Sequence, residues 1–364
     1  MIRKLNRIFQ DYMREKRLKI GKYIWDRKEK TKIVKGNNFI KNNDIKSILF
    51  LRYDGKIGDM IVNSLMFREI KKVYSDIKIG VVARGAAIDI IRDNPNVDKI
   101  YEYHKDRKKI KNLALKIKEE KYDLLIDFSE MLRVNQMMLI NLCGARINIG
   151  IEKDSWNLFD ISLNVRDYDK HISELYIKIL KFLGINNINS SYDVFSSDYL
   201  LKKLDLENKK YCVFNPYAAS KHRSFSIENI EKISKIILEK DYEKLILIGN
   251  EDKIRELKKI NISKENKVKI IETRGMSEVA ELIKGANLVV SPDTSIVHLA
   301  RAFDKKMICI YRKELEKEDK NSILWGPNSE KAKVIFVEEK VKDGEEIDIN
   351  HINLDEFKKE MERV

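Results

Sequence analysis

Asp59 is the carboxylate whose setting most suggests chemistry. It closes the run Arg52-Tyr53-Asp54-Gly55-Lys56-Ile57-Gly58-Asp59, which follows a short apolar segment and opens a helical pattern. A carboxylate in the first turn of a helix, at the carboxyl end of a parallel strand, can take the proton of a bound hydroxyl. Two glycines let backbone approach a ligand, and the free N–H groups of a helix start favour an anion. The same residues also fit a purely structural arrangement, with Asp59 capping the helix and Gly58 making the turn. The run is neither a Gly-x-Gly-x-x-Gly dinucleotide fingerprint nor a Walker loop, which needs Gly-Lys-Ser/Thr.

A second loop, Asn215-Pro216-Tyr217-Ala218-Ala219-Ser220-Lys221-His222-Arg223-Ser224-Phe225, leaves the first strand of the second half of the chain. Small residues are followed by Lys221, His222 and Arg223, a composition suited to a phosphate or diphosphate leaving group. An exposed basic loop without a ligand has the same composition. A third loop, Ser291-Pro292-Asp293-Thr294-Ser295-Ile296-Val297-His298, runs from a strand into a helix. Asp293 and Thr294 are natural N-caps, and free amides at this helix start would meet an anion. His298 falls one turn into the helix, where a lone histidine is often structural. A Ser-His-Asp hydrolase is disfavoured, because Asp293, Ser295 and His298 belong to one helix start and no Gly-x-Ser-x-Gly elbow occurs.

Alternating strand and helix patterns must position these loops. Apolar runs of strand type fall at 47–52, 77–83, 97–103, 124–128 and 146–151, with helical periodicity at 57–73, 86–92, 107–120, 131–143 and 171–183. After an Asn- and Ser-rich stretch at 184–198, the alternation restarts. Strands are expected at 211–215, 244–248, 268–271, 286–291 and 307–311, with helices at 227–239, 252–260, 277–284, 295–303 and 354–363. Strands alternating with helices mean parallel sheets covered on both faces. The expected organisation is α/β: a segment 1–44, a doubly wound domain over 45–190 and a second over 205–364, facing each other across a cleft. Ligands of such sheets bind beyond the carboxyl ends of the strands.

The 364 residues are 43% hydrophobic, which is enough for two cores, and 36% charged. The net charge of +14 is concentrated in residues 1–41, which carry +10 of it. Basic character confined to one end argues against a nucleic-acid groove across the body. Residues 1–36 read as a basic amphipathic helix or pair of helices: Ile2, Leu5, Ile8, Phe9, Tyr12 and Met13, then Ile20, Tyr23, Ile24 and Trp25, are interleaved with lysines and arginines. Such a segment can lie on an anionic membrane or pack its stripe on the body. Cys143, Cys212 and Cys309 are far apart in apolar runs, as expected of buried reduced thiols rather than disulfides or a zinc site. No apolar run of transmembrane length and no signal-peptide core occurs.

The three loops, in this order, resemble glycosyltransferase family 9, the ADP-heptose:lipopolysaccharide heptosyltransferases. The likeness runs from about Ser47 to about Val337 and is carried by Gly58-Asp59 after the first strand and by Ala286-Asn287-Leu288-Val289-Val290-Ser291-Pro292-Asp293-Thr294-Ser295-Ile296-Val297-His298-Leu299-Ala300. The resemblance implies a GT-B architecture of two Rossmann-like domains. It implies heptose transfer with inversion from an ADP-activated donor to a lipopolysaccharide core or other lipid-linked glycan, with no cofactor and no obligatory metal. It makes Asp59 the base and puts Arg223 or Lys221 at the leaving group. Gly58, Ser220, Glu251, Asp293, Thr294, Ser295 and His298 go to the donor, with Glu251 near its ribose. It places the enzyme in the cytoplasm, peripheral on the inner face of the cytoplasmic membrane, with residues 1–36 on the anionic surface. Departures concern the donor side: Arg223 stands where the family has Lys, Ser295 where it has Gly, and Ala218 and Ala219 where some members carry hydroxyls. A GT-B-type nucleotide-sugar epimerase and a non-catalytic sugar-nucleotide or lipid-binding subunit are the alternatives.

Overall fold

The computed structural model describes residues 2–313, 320–339 and 346–364; the side chains of residues 2–8 and 11, including Ile2, Leu5 and Ile8 of the predicted apolar stripe, lie outside the description. Two six-stranded sheets form the frame. The first comprises β1 (Ser47–Arg52), β2 (Lys78–Ala83), β3 (Lys99–Glu102), β4 (Leu124–Asp127), β5 (Ile147–Ile151) and β6 (Ile161–Leu163), in the order β3-β2-β1-β4-β5-β6. The second comprises β7 (Tyr211–Phe214), β8 (Lys244–Gly249), β9 (Val268–Glu272), β10 (Leu288–Pro292), β11 (Lys306–Arg312) and β12 (Ala332–Val337), in the order β12-β11-β10-β7-β8-β9. Every pairing is parallel.

Counted within its own half, each sheet reads 3-2-1-4-5-6. The order of strand addition therefore reverses at β1/β4 in the first sheet and at β7/β10 in the second, and such a reversal opens a crevice. Burial explains why these segments become central strands. All six residues of β1, all four of β4 and β7 and all five of β10 are buried. A strand buried on both faces needs helices on both, which parallel crossover connections supply.

Two strands escaped the sequence reading. β6 has three residues, and β12 is an edge strand whose Phe336 is exposed, so neither makes a continuous apolar run. The helix expected from 131 begins at Val134, where Gln136 accepts the Arg133 N–H at 2.7 Å. The stretch after Gly184 has little regular structure but is held down: Arg68 donates to Asp193 (2.6 Å), Ser191 (3.0 Å) and the Asn189 carbonyl (2.6 Å). The N-terminal segment is one helix, Ile2–Trp25, followed by an extended stretch.

The halves pack directly. Helix Ile57–Val73 lies on Ser295–Ala302, helix Ala87–Ile91 on Met276–Gly285, and one apolar cluster runs without a break through both halves. Cys143, Cys212 and Cys309 are buried free thiols.

Candidate active site

β1 is apolar from Ile48 to Leu51, and its last residue is Arg52. Its side chain is only 4% exposed, with the guanidinium over the Phe128 ring at 5.4 Å from the centroid. A buried guanidinium stays charged and needs an anion. Asp59 provides it, with Oδ1 2.5 Å from Arg52 Nη2, while Asp54 Oδ2 stands at 3.4 Å. Burial pushes the Asp59 carboxyl above its ordinary range, and the Arg52 charge pulls it back. On the neighbouring strand, buried Asp127 accepts from Tyr53 (2.5 Å) and Ser129 (2.6 Å), so a carboxylate lies on each side of the β1/β4 reversal, Asp59 in the helix after β1 and Asp127 at the end of β4.

The β7/β10 reversal is built from hydroxyls, amides and one guanidinium. Asn215 donates to Ser291 (3.0 Å) and Thr294 (3.4 Å), and Ser291 and Thr294 share a bond of 3.0 Å. Thr294 is the N-cap of Ser295–Ala302 and accepts from the Ile296 N–H at 3.3 Å; Ser295 is the first helical residue. Asp293 accepts from Arg223 at 3.2 Å and from Asn321 at 3.1 Å. Arg223 Nε stands 3.4 Å from the Ser220 hydroxyl. Asp293 therefore fixes a cation rather than presenting its own charge. Lys221 and His222, beside it, are exposed.

The two helix starts meet through Gly58 and His298. A Cβ at residue 58 would lie 2.7 Å from His298 Cδ2 and 3.2 Å from Nε2. Gly58 is thus needed inside the helix for close approach. The turn itself uses Gly55, whose φ of +75° is left-handed. Asp59 is not the cap either: Lys56 occupies the N-cap position without a side-chain bond. His298 is buried against His171 and the edge of Trp325, and desolvation lowers its pKa to about 4, so the ring is neutral at pH 7. Trp325 also carries the Lys56 ammonium at 5.9 Å from its ring centroid. Gly58→Ala should cost about 1–3 kcal/mol through overpacking, read as a lower midpoint in urea. Combining it with His298→Ala should restore much of that loss; a strictly additive pair would show that the contact does not carry the effect.

The structure thus gathers Gly58, Asp59, Arg223, Asp293, Thr294, Ser295 and His298 at facing strand ends. Thr294 precedes His298 by four residues, about 6 Å along the helix axis. Glu251 starts the helix after β8, where its exposed carboxylate pairs with Arg255 at 2.8 Å and with none of the other candidates. The sequence reading overlooked Arg52, Asp127 and Trp325. A signal for Arg52 existed: a charged residue directly after the apolar run 48–51 demands a nearby counter-ion, and Asp59 is seven residues on.

Comparison with known proteins is consistent with this arrangement. Residues 110–350 match the model of glycosyltransferase family 9 (heptosyltransferase). Lipopolysaccharide heptosyltransferase 1 of Campylobacter coli is 22% identical over 280 residues, which cover 70% of this chain and 81% of that protein. Among solved structures, the family 9 glycosyl transferase of Veillonella parvula superposes with a TM-score of 0.72 at 15% identity, covering 87% of this chain and 96% of the other. Escherichia coli ADP-heptose lipopolysaccharide heptosyltransferase II gives 0.70 at 15% identity, covering 87% and 98%. Superpositions at this level show the GT-B fold of the two sheets.

Proposed function

Because the chain belongs to glycosyltransferase family 9 and is a glycosyltransferase, we propose that it transfers a heptose, with inversion, from ADP-heptose to a lipopolysaccharide core or another lipid-linked glycan. The observation that carries the reading is the meeting of two unlike strand-end clusters. One holds a buried ion-paired carboxylate, Asp59; the other holds an oriented guanidinium, Arg223, beside a capped helix start. A base on one side and an anion site on the other is what displacement of a diphosphate by a hydroxyl requires.

In this reading Arg52 holds Oδ1 of Asp59, and Oδ2 meets the acceptor hydroxyl. The hydroxyl oxygen attacks the anomeric carbon, its proton passes to Asp59, and the bond from that carbon to the diphosphate oxygen breaks. Charge developing on the diphosphate is met by Arg223 and by the amides at Thr294 and Ser295. Asp293 keeps Arg223 aimed, which favours Arg223 over exposed Lys221 for this role. His298 stands as a neutral ring at the domain junction, its buried Nδ1 without a partner among the described residues. Ser220 supports Arg223, and Glu251 at the mouth of β8 would exchange its Arg255 partner for the donor ribose. The family is one of sugar transferases, which favours transfer over the epimerase and non-catalytic alternatives. The lipid of the proposed acceptor and the basic N-terminal segment favour a position on the inner face of the cytoplasmic membrane; no described helix is long and apolar enough to cross one.

Titration calorimetry with ADP, GDP, UDP and CDP tests the donor. ADP should bind at least tenfold tighter than the others, and Arg223→Ala should lower kcat about 100-fold where Lys221→Ala changes it less than about threefold. A preference for UDP would overturn the donor assignment, and equal losses at the two cations would overturn the choice of Arg223.

A further inference from the structure

Two contacts fix how the N-terminal helix, Ile2–Trp25, runs. Gly21 is pressed on Val134, the first residue of helix Val134–Cys143; a Cβ at Gly21 would come within 2.6 Å of a Val134 methyl. Further along, the Trp25 carbonyl accepts from Asn141 at 3.1 Å. The two helices therefore lie side by side in the same direction. Helix Val134–Cys143 follows β4, so Val134 stands at the carboxyl edge of the first sheet, the edge that carries Asp59. The turns before Leu18 run on past that edge, by roughly 24 Å at 1.5 Å per residue. The seat is firm. Leu18 and Trp25 pack on the first domain's core, Asp26 accepts the Leu158 N–H at 2.8 Å, and Lys28 pairs with Asp160 at 2.8 Å.

The opposite face of this helix is uncovered and not polar. Phe9, Tyr12, Ile20 and Tyr23 are all exposed, Tyr23 by 74% and Ile20 by 60%. At 3.6 residues per turn they fall in one stripe about 80° wide. Lys16 lies within the stripe, its ammonium 4.6 Å from the centroid of the Tyr12 ring, and exposed Lys19 and Arg17 border it. Aromatic and aliphatic side chains flanked by cations suit a layer of anionic headgroups. A second copy fits worse, because a two-fold pairing of this stripe brings Lys16 toward Lys16.

We propose that the N-terminal helix lies on an anionic phospholipid bilayer with the Phe9, Tyr12, Ile20 and Tyr23 stripe among the headgroups, and that its seat on helix Val134–Cys143 holds the Asp59 edge of the first domain toward that bilayer. The inference rests on the lipid-linked acceptor of the proposed function. It adds an orientation: the mouth that must receive the glycan faces the membrane in which the glycan is anchored.

The test uses the full chain and vesicles of phosphatidylcholine with or without about 30% phosphatidylglycerol. The protein should float with the anionic vesicles alone. Tyr12→Ser/Ile20→Ser/Tyr23→Ser should cut the bound fraction at least tenfold, and Lys16→Ala and Lys19→Ala about fivefold each, the worth of one cation near such a surface. For orientation, an environment-sensitive fluorophore on Met131→Cys, at the carboxyl edge beside Val134, should respond to vesicles. The same label on Asp241→Cys, before β8 at the opposite edge of the second sheet, should not. Gly21→Val should keep flotation but lose the Met131 response, because it forces the helix off its seat. The proposal falls if neutral vesicles bind equally, if the triple variant floats undiminished or shows a smaller oligomer than the native chain, if both labels respond alike, or if Gly21→Val leaves the Met131 response intact. ADP binding measured on each variant separates misfolding from loss of membrane contact. Absence of ADP binding in the native chain would sink the donor reading while leaving the vesicle result to stand by itself.

Discussion

Asp59→Asn should lower kcat by about 10³-fold while changing ADP affinity less than about twofold. General-base catalysis by a positioned side chain contributes about 10²- to 10⁴-fold, and the amide keeps the shape of the carboxylate without accepting a proton. The separation of kcat from ADP affinity follows from position. Asp59 sits on the first domain, bonded to Arg52, whereas the cation assigned to the diphosphate is held by Asp293 on the second. Steady-state transfer with ADP-heptose and calorimetry with ADP make the comparison. Transfer within about tenfold of the native rate would remove Asp59 from the role of base. The native pH profile should rise as Asp59 loses its proton, at a pH above the ordinary carboxylate range because burial raises that group.

Arg52→Met should be the most destabilising change at this site, by about 3–5 kcal/mol at pH 7, because it leaves a buried carboxylate without its counter-ion. The pH dependence has a definite sign. Burial already raises Asp59, and removing Arg52 raises it further, so the folded variant keeps a proton that the unfolded chain has lost. Its stability is highest below the unfolded carboxylate value. It falls as pH climbs from there through the folded value of Asp59. Urea melts at pH 5 and pH 8 should therefore differ more for Arg52→Met than for the native chain, and Arg52→Met/Asp59→Asn should recover most of the deficit. The activity of Arg52→Met, scaled to folded protein, should show its acid limb displaced to higher pH, with Arg52→Lys in between. An unmoved acid limb would mean that Arg52 supports the fold without setting the basicity of Asp59.

Much of the frame was legible because burial on both faces leaves an unmistakable trace. Central strands such as Ser47–Arg52 and Leu288–Pro292 are nearly all apolar, and helices between them repeat with a period near 3.6. The edges were not: Ala332–Val337 has one half-open face, so polar residues interrupt its pattern. Of the site, the three loops were found because each leaves a strand end with small, acidic or basic residues. Their division of labour was not. Beside the catalytic reading of Asp59, the sequence left it and Gly58 open as a cap and a turn, whereas Gly55 makes the turn, Gly58 admits His298, and Asp59 answers the charge of Arg52.

The N-terminal segment shows the same limit. Its basic, amphipathic character stands in the sequence, yet membrane contact and packing on the body read as rivals there. In the fold one helix packs on the body through Leu18, Gly21 and Trp25 and still leaves Phe9, Tyr12, Ile20 and Tyr23 outward, so the two readings do not compete. Periodicity, composition and the spacing of strand-end loops are local properties of the chain, so the sequence by itself determined two parallel α/β domains, a carboxylate after the first strand, and a basic loop and a capped helix start in the second half. Which groups face each other depends on contacts between residues far apart in the chain, such as Gly58 with His298, Arg223 with Asp293 and Gly21 with Val134. Those contacts form only when two sheets and their helices close on one another, and the tertiary structure alone decided them.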